Sequence, residues 1–442
     1  MSGVVREKQA DMARSIWRAA VDAADPTRAV VESLRADSWP SELGSGRILV
    51  AGGGKAGAAM ALGVELALAP WLDRIDGLVN VPEGSSAALR RIQLHFARPA
   101  GSNFPTAAGV AGAEKMLHLF ATAQPEDVGL CLISGGGSAL LPAPVEGVTL
   151  EDKLLTTKLL HRSGASIHEM NTVRKHLSRI KGGGLARVFT GQRLISLIVS
   201  DVVGDPLDVI ASGPTAVDST TFAEAIAVLR RFHLWQQVPP TVRTYLQAGV
   251  EGQRPETLKE SLSQVEHRII ASNSRSLRAA QEQAERGGYA VLNLGAYIEG
   301  ETREVAIACA GVVRSILREG VPLRPPCCLL LGGETTVRLG ENPGRGGRNV
   351  EFVLAMLLHL GASVRGGITV LSAGTDGEDG PTDAAGAVAG LDVLHRAATL
   401  GIDPRDFLDR HDAYTFFERC GGLWKTGLTG TNVMDVRLVL ID

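Results

Sequence analysis

Aromatic residues make up only 4% of this 442-residue sequence, too few for the stacked platforms on which single-stranded nucleic acids are held. An excess of charge of one sign is missing too. Lys and Arg number 45 against 48 Asp and Glu, leaving a formal net charge of −3, so there is no basic footprint for nucleic acid or an anionic membrane. The five cysteines, at 131, 309, 327, 328 and 420, follow neither a metal-ligand spacing nor a disulfide framework, which points to a reducing compartment. No apolar run reaches transmembrane length, and charges run through residues 6–14 where a secretion signal would place its apolar core. The cytoplasm is the expected location. Heptads, short repeats and low-complexity tracts are absent. The P-loop and the protein-kinase signatures are absent as well.

What is present is length, glycine and alternation. A chain of 442 residues exceeds the size at which one hydrophobic core stops growing, and two domains are expected, residues 1–250 and 251–442. Short apolar runs at 47–51, 77–81, 92–96, 128–133, 194–199, 268–271, 290–294, 327–331, 368–372 and 433–441 read as strands, with helical periodicity between many of them. Strand–helix alternation of this kind gives an α/β fold with mainly parallel sheets. In such sheets ligands bind beyond the carboxyl ends of the strands. The loops after Ala51, Ile133, Val199, Leu331 and Ser372 therefore carry the chemistry.

The stretch 128–144 organises the chain. Its apolar strand runs straight into Ser134, Gly135, Gly136, Gly137 and Ser138, a phosphate cradle in which glycine lets a ligand approach the backbone. A helix opening at Ser138 would add free N–H groups. The loop after residue 51 matches G-x-G-x-x-G at Gly52, Gly54 and Gly57, which admits a nicotinamide dinucleotide. However, Lys55 inside the turn suits a transferred anionic group better, and only Glu83 stands in for the acidic ribose partner. Close helix–strand packing would explain the glycines but not the lysine.

Residues 171–181 concentrate Asn171, Arg174, Lys175, Arg179 and Lys181. Only some of these cations can point inward, and arginine there suits capture of a carboxylate or phosphate. Asp201, Asp205 and Asp208 follow a buried strand; Asp201, directly at its end, is the preferred Mg²⁺ ligand. Gly332, Gly333 and Glu334 end another strand and, with residues 344–349, flank an expected hairpin. Arg348 opens a helix whose macrodipole it opposes, and a bound anion would offset that. Asp376, Glu378, Asp379 and Asp383 crowd one loop, where they repel unless a metal or proton intervenes. Anion-binding glycine loops, separate cations and acidic strand ends together point to phosphoryl transfer.

The ordered set Gly52–Ala56, Ser134–Ser138, Asn171–Ser178, Lys181–Ala186, Ser200–Asp205, Ala211–Thr215, Gly332–Thr335, Gly346–Asn349, Ala373–Gly377 and Thr429–Asn432 resembles the glycerate 2-kinases of the MOFRL type, from about residue 50 to 435. The resemblance implies ATP- and Mg²⁺-dependent conversion of D-glycerate to 2-phosphoglycerate. It implies a larger Rossmann-like N-terminal domain, a smaller α/β C-terminal domain and an active site in the cleft. It suggests Lys55 and Arg348 as catalytic. Asp376 joins them, either taking the proton of the glycerate hydroxyl or completing a metal shell. Ser134, Gly135, Gly136, Gly137 and Ser138, with Gly333 and Glu334, are the expected phosphate-binding groups. Lys55, Asn171, Arg174 and Lys175 are the expected substrate contacts, and Asp201 the metal ligand. The expected partner is a small molecule, with room for a homo-oligomer. Relatives have also carried the label hydroxypyruvate reductase, so an NAD(P)H-dependent reductase is the alternative, and a non-catalytic sensor of phosphorylated sugars or acids a third reading. One loop departs from the family pattern Gly-His-Pro-Val-Pro-Asp: here it reads Gly101-Ser102-Asn103-Phe104-Pro105-Thr106, lacking the histidine and the aspartate. A milder departure puts Asn349-Val350-Glu351 where the family reads Asn-Gln-Glu.

Overall fold

A computed structural model describes residues 3–38, 40, 45–361 and 367–442. The chain divides into two compact units, residues 26–270 and residues 1–25 with 271–442. The helix Gly3–Asp22 thus belongs with the second half of the chain rather than with the residues that follow it. The reason is its apolar stripe: Ala13, Ile16, Trp17 and Ala20 are buried in one cluster with Leu277, Ala280 and Ala284 of the helix Asn273–Arg286.

In the 26–270 unit, β1 (Ile48–Gly53), β2 (Ile75–Pro82), β3 (Ile92–Arg98), β4 (Val128–Ile133), β5 (Arg193–Val199) and β6 (Val265–Ala271) form one parallel sheet in the order β3-β2-β1-β4-β5-β6. Strands β1 and β4 are buried along their whole length, as a strand covered by helices on both faces must be, which is why they read as unbroken apolar runs. Helix Ala107–Ala121 packs over β1, β2 and β3, and helix Gly57–Ala67 packs on β2. This is the order of a doubly wound sheet. The connections run outward in opposite directions from β1 and β4, so a crevice opens between the loops that follow these two strands. Residues 145–246 add a helical cluster with its own core, centred on Leu160, Val173, Phe222, Leu229 and Leu246.

In the other unit, β7 (Ala290–Asn293), β8 (Ile298–Glu301), β9 (Cys327–Thr336), β10 (Ile368–Gly374), β11 (Gly386–Ala389), β12 (Leu423–Trp424) and β13 (Asp435–Ile441) form a mixed sheet. The order is β12-β11-β10-β13-β9-β7, with β8 also beside β9. β13 runs antiparallel to both β10 and β9; only β7 and β8 lie parallel to β9. The parallel sheet that alternation suggested therefore holds for the first unit and not for this one. Alternation along β9 sorts its side chains onto two faces. Cys327, Leu329 and Leu331 enter a core under the helices Thr302–Glu319 and Arg348–Leu360, while Cys328 and Leu330 face the core that holds Gly3–Asp22. All five cysteines are free and buried, and burial pushes the thiols of Cys131 and Cys328 up to about 12. Residues 337–347, after β9, form no hairpin. No helix among the described residues is long and apolar enough to cross a membrane.

Candidate active site

The two glycine loops at the β1–β4 crevice are one structure. Lys55 N–H donates to Gly135 O at 2.8 Å, Ser134 N–H to Gly53 O at 3.4 Å, and Ala56 N–H to the Ser134 hydroxyl at 3.1 Å. The glycines of the G-x-G-x-x-G match serve this packing. A Cβ on Gly52 would stand 2.0 Å from Leu132 O, one on Gly54 1.9 Å from Ser134 Oγ, and one on Gly57 2.8 Å from a Val79 methyl. Tight packing alone therefore explains why glycine stands at these three positions, and the motif needs no nicotinamide to account for it. Close packing accounts for the glycines, as the sequence allowed, and leaves Lys55 over: its side chain is exposed.

Gly136 opens a single helical turn, Gly137–Leu140, from a left-handed conformation at φ 76°. Gly137 N–H is already used by Ser134 O at 3.2 Å, so that group is not free for a ligand, and side chains add positive charge beside the turn. At the position a Gly136 Cβ would take, an Arg98 guanidinium nitrogen is 3.0 Å away and Lys55 Cγ 3.4 Å away. Arg98 closes β3 and is only 4% exposed. Its guanidinium donates to Asn103 Oδ1 at 2.9 Å, and its Nε has no partner among the described residues. Burial lowers its pKa. On the other side of the loop, Asp201 Oδ2 would stand 2.2 Å from a Cβ on Gly135. The end of β5 thus brings the expected metal ligand against the cradle. Asn103 and Thr106 belong to the departing loop. Thr106 caps the helix Ala107–Ala121 by accepting from Gly109 N–H at 3.1 Å, a task an aspartate performs equally well, so that exchange is a cap for a cap.

The cationic stretch divides as expected between inward and outward groups. Arg179 is exposed and pairs with Glu114 at 2.8 Å. Lys175 is buried and committed to two carboxylates, Asp218 at 2.7 Å and Asp208 at 3.3 Å. Asn171 is buried, and its Oδ1 accepts from Arg174 at 3.3 Å and from the Ser212 hydroxyl at 3.1 Å. The capping box read at Ser166 and Glu169 is present and starts the helix Ile167–His176 that carries them.

In the second unit, Arg348 opens its helix as expected, and carboxylates offset the opposed dipole. Asp435 takes the guanidinium in two bonds of 2.7 and 3.1 Å, and Glu334 takes it at 2.7 Å. Coulombic attraction from Asp435 and its hydrogen bonds outweigh burial and raise the Arg348 pKa. Asp435 is fully buried and also binds Arg437 at 2.6 Å and Asn349 at 3.0 Å. Burial alone would push its carboxyl up, but Arg437 and Arg348 hold it below the ordinary range. Asp379 accepts the helix N–H groups of Asn349 at 2.9 Å and Val350 at 2.8 Å; burial raises it to about 7. Asp383 turns away to Tyr414 at 2.6 Å and Lys425 at 2.9 Å. The crowded acids are thus relieved by divergence. Asp376 Oδ1 would stand 2.9 Å and Asp435 Oδ1 3.7 Å from a Cβ on Gly374, so Asp376 shares the neighbourhood of Arg348's anchor. The residues that were not singled out from sequence are Arg98, Lys153 and Asp435. Among the described residues no three His, Cys, Asp or Glu side chains are grouped to hold a metal by themselves.

Comparison with known proteins finds two family regions along the chain. Residues 12–247 match a domain family described only as of unknown function (DUF4147), and residues 327–435 match the MOFRL family. A glycerate 2-kinase of Pyrococcus horikoshii is 39% identical over 428 residues, covering 96% of this chain and 95% of that one. An Agrobacterium vitis protein provisionally named hydroxypyruvate reductase is 43% identical over 97% of this chain and 93% of its own. The crystal structure of a glycerate kinase from Thermotoga maritima superposes with a TM-score of 0.88 at 35% identity, over 99% of this chain and 100% of that one. With near-complete coverage at these identities, this chain belongs to the glycerate kinase family that carries the DUF4147 and MOFRL regions.

Proposed function

We propose that this protein transfers the terminal phosphoryl group of ATP to the 2-hydroxyl of D-glycerate, giving ADP and 2-phosphoglycerate. The observation that carries the reading is the 134–138 loop, which has Lys55 and the buried Arg98 beside Gly136 and Asp201 beside Gly135, with no carboxylate paired to Arg98 among the described residues. Phosphoryl transfer asks a protein mainly to position the reactants and neutralise spreading negative charge, and cations at a glycine cradle do that. Ser134, Gly135, Gly136, Gly137 and Ser138 form the phosphate cradle. Gly333 and Glu334 are the proposed nucleotide contacts of the second unit.

Lys55 is the exposed cation placed at the cradle to contact the transferred group. Asp201 fits as a protein ligand for Mg²⁺: one carboxylate against the cradle suits an ion whose other ligands are phosphate oxygens and water. When bound, Mg²⁺ supplies charge neutralisation on the nucleotide. Arg348, fixed in two bonds by Asp435, is held as a rigid cation for charge stabilisation. Asp376 is the carboxylate proposed to take the hydroxyl proton.

The test is a coupled assay with D-glycerate and Mg-ATP, with the product's phosphate position identified and hydroxypyruvate with NADH run in parallel. ATP-dependent formation of the 2-phosphate without NADH turnover is expected. NADH oxidation on hydroxypyruvate in the absence of ATP would overturn the assignment.

A further inference from the structure

Ser138 stands at the opposite end of the cradle from Lys55 and Arg98, and around it the same unit gathers a second set of cations. Lys181 is 2% exposed, and among the described residues its Nζ donates only to backbone oxygens, of Ser138 at 3.0 Å and Ala211 at 3.2 Å. The Ser138 and Ser212 hydroxyls are 2.8 Å apart, and Ser212 continues the chain to Asn171 and so to Arg174. Lys153 arrives from the first turn of the helix Leu150–Arg162. It is 7% exposed, and its Nζ has no hydrogen-bond partner.

Among the described residues no carboxylate pairs with any of the three. The electrostatic neighbours that act on Lys153 and Lys181 are cations: Arg174 on Lys153, and Arg174 with Lys153 on Lys181. Burial lowers all three groups, Lys153 to about 7. Buried charges are ordinarily paired. Two buried lysines beside the part-buried Arg174, one lysine with an empty hydrogen-bonding shell, are therefore a site built for an anion the protein does not itself supply.

We propose that Lys153, Arg174 and Lys181, with Asn171 and the Ser138 and Ser212 hydroxyls, form the subsite for the carboxylate of the acid substrate. This rests on the glycerate kinase reading and extends it. An acid phosphorylated on its 2-hydroxyl carries carboxylate and phosphate on one carbon, so its two anion subsites must be neighbours. The cradle meets that requirement. Lys55 and Arg98 stand at Gly136 and the second cation set stands at Ser138, two residues on, a span of at most about 7 Å. Lysine ammonium groups with arginine suit a carboxylate because charge-assisted bonds to it are strong.

The experiment compares the full-length wild type with Lys153→Met and Lys181→Met, varying D-glycerate at saturating Mg-ATP and then Mg-ATP at saturating D-glycerate. Lys153→Met preserves the aliphatic stem and removes no hydrogen bond, so it remains informative if the Lys181 variant fails to fold. The expected result is a KM for D-glycerate raised roughly 10- to 100-fold, the scale of one buried charged hydrogen bond, with the KM for ATP changed less than about twofold, well below that scale. D-glycerate without nucleotide should raise the melting temperature of wild type and not of Lys153→Met. A raised KM for ATP with D-glycerate untouched would assign the cations to nucleotide phosphate and overturn the carboxylate subsite. An unchanged KM for both ligands would also overturn it. Wild type that does not phosphorylate glycerate at all defeats the underlying reading instead.

Discussion

Replacing Lys153 by Met should stabilise the 26–270 unit, and the gain should depend on pH in a direction fixed by the site. The ammonium is buried without a hydrogen bond, and its pKa falls from 10.5 to about 7. At about 1.4 kcal/mol per unit, the ceiling on the cost of carrying that charge is about 5 kcal/mol. Water follows a charge into such a pocket, so about half of this, about 2–3 kcal/mol, is the working figure. A lysine held below its unfolded value destabilises the fold at every pH where both states are protonated, here below 7. The cost fades as pH rises from 7 to the unfolded value of 10.5. Lys153→Met should therefore melt about 4–12 °C higher than wild type near pH 6 and within about 1–2 °C of it near pH 10. Differential scanning fluorimetry across that range, without anions that would fill the site, measures both. A variant less stable at pH 6, or equally shifted at all pH values, would refute the picture of an unpaired buried cation.

Lys55→Ala should lower kcat by roughly two orders of magnitude with little change in melting temperature, since it removes a preorganised charge that carries no packing; a near-normal kcat with an early melt would make Lys55 structural. Asp201→Asn should raise the Mg²⁺ concentration needed for half-maximal activity, whereas Arg348→Ala should cut kcat with less effect on that requirement; a Mg²⁺ titration of both variants separates them. Asp435→Asn should cost about 3–5 kcal/mol in urea unfolding, because it strands the fully buried Arg437 and frees Arg348. A loss below about 1 kcal/mol would show that the network is not cooperative.

The parallel sheet and its cradle were readable because burial on both faces writes strands as apolar runs, and because glycines accumulate where two loops touch. Ser134–Ser138, Lys55 and Asp201 stand out as candidates in that way, each lying where a strand stops. Arg98 was not, because a lone arginine at the end of β3 looks like any solvated charge until Gly136 is folded against it. Lys153 was hidden between Asp152 and Leu154 in an ordinary helix turn. Asp435 and Arg437 did leave a signal. Residues two apart in a strand share a face, and two opposite charges at that spacing in an otherwise apolar strand indicate a buried pair. The antiparallel strands of the second unit could not be read from periodicity, which reports which face a residue takes and not which way its strand runs.

The place of β13 between β9 and β10 sets an order of events during synthesis. A ribosome finishes both outer strands before it reaches the one that joins them, and until then each waits with unsatisfied edge groups exposed. Asp435, the anchor of Arg348, is the first residue of that late strand. The guanidinium can meet Glu334 earlier, but its two-bond anchor forms only in the step that seals the sheet. A nascent chain carries Arg348 long before Asp435 is there to hold it, so the ion-pair network around this arginine completes with the closing of the core rather than gradually with length.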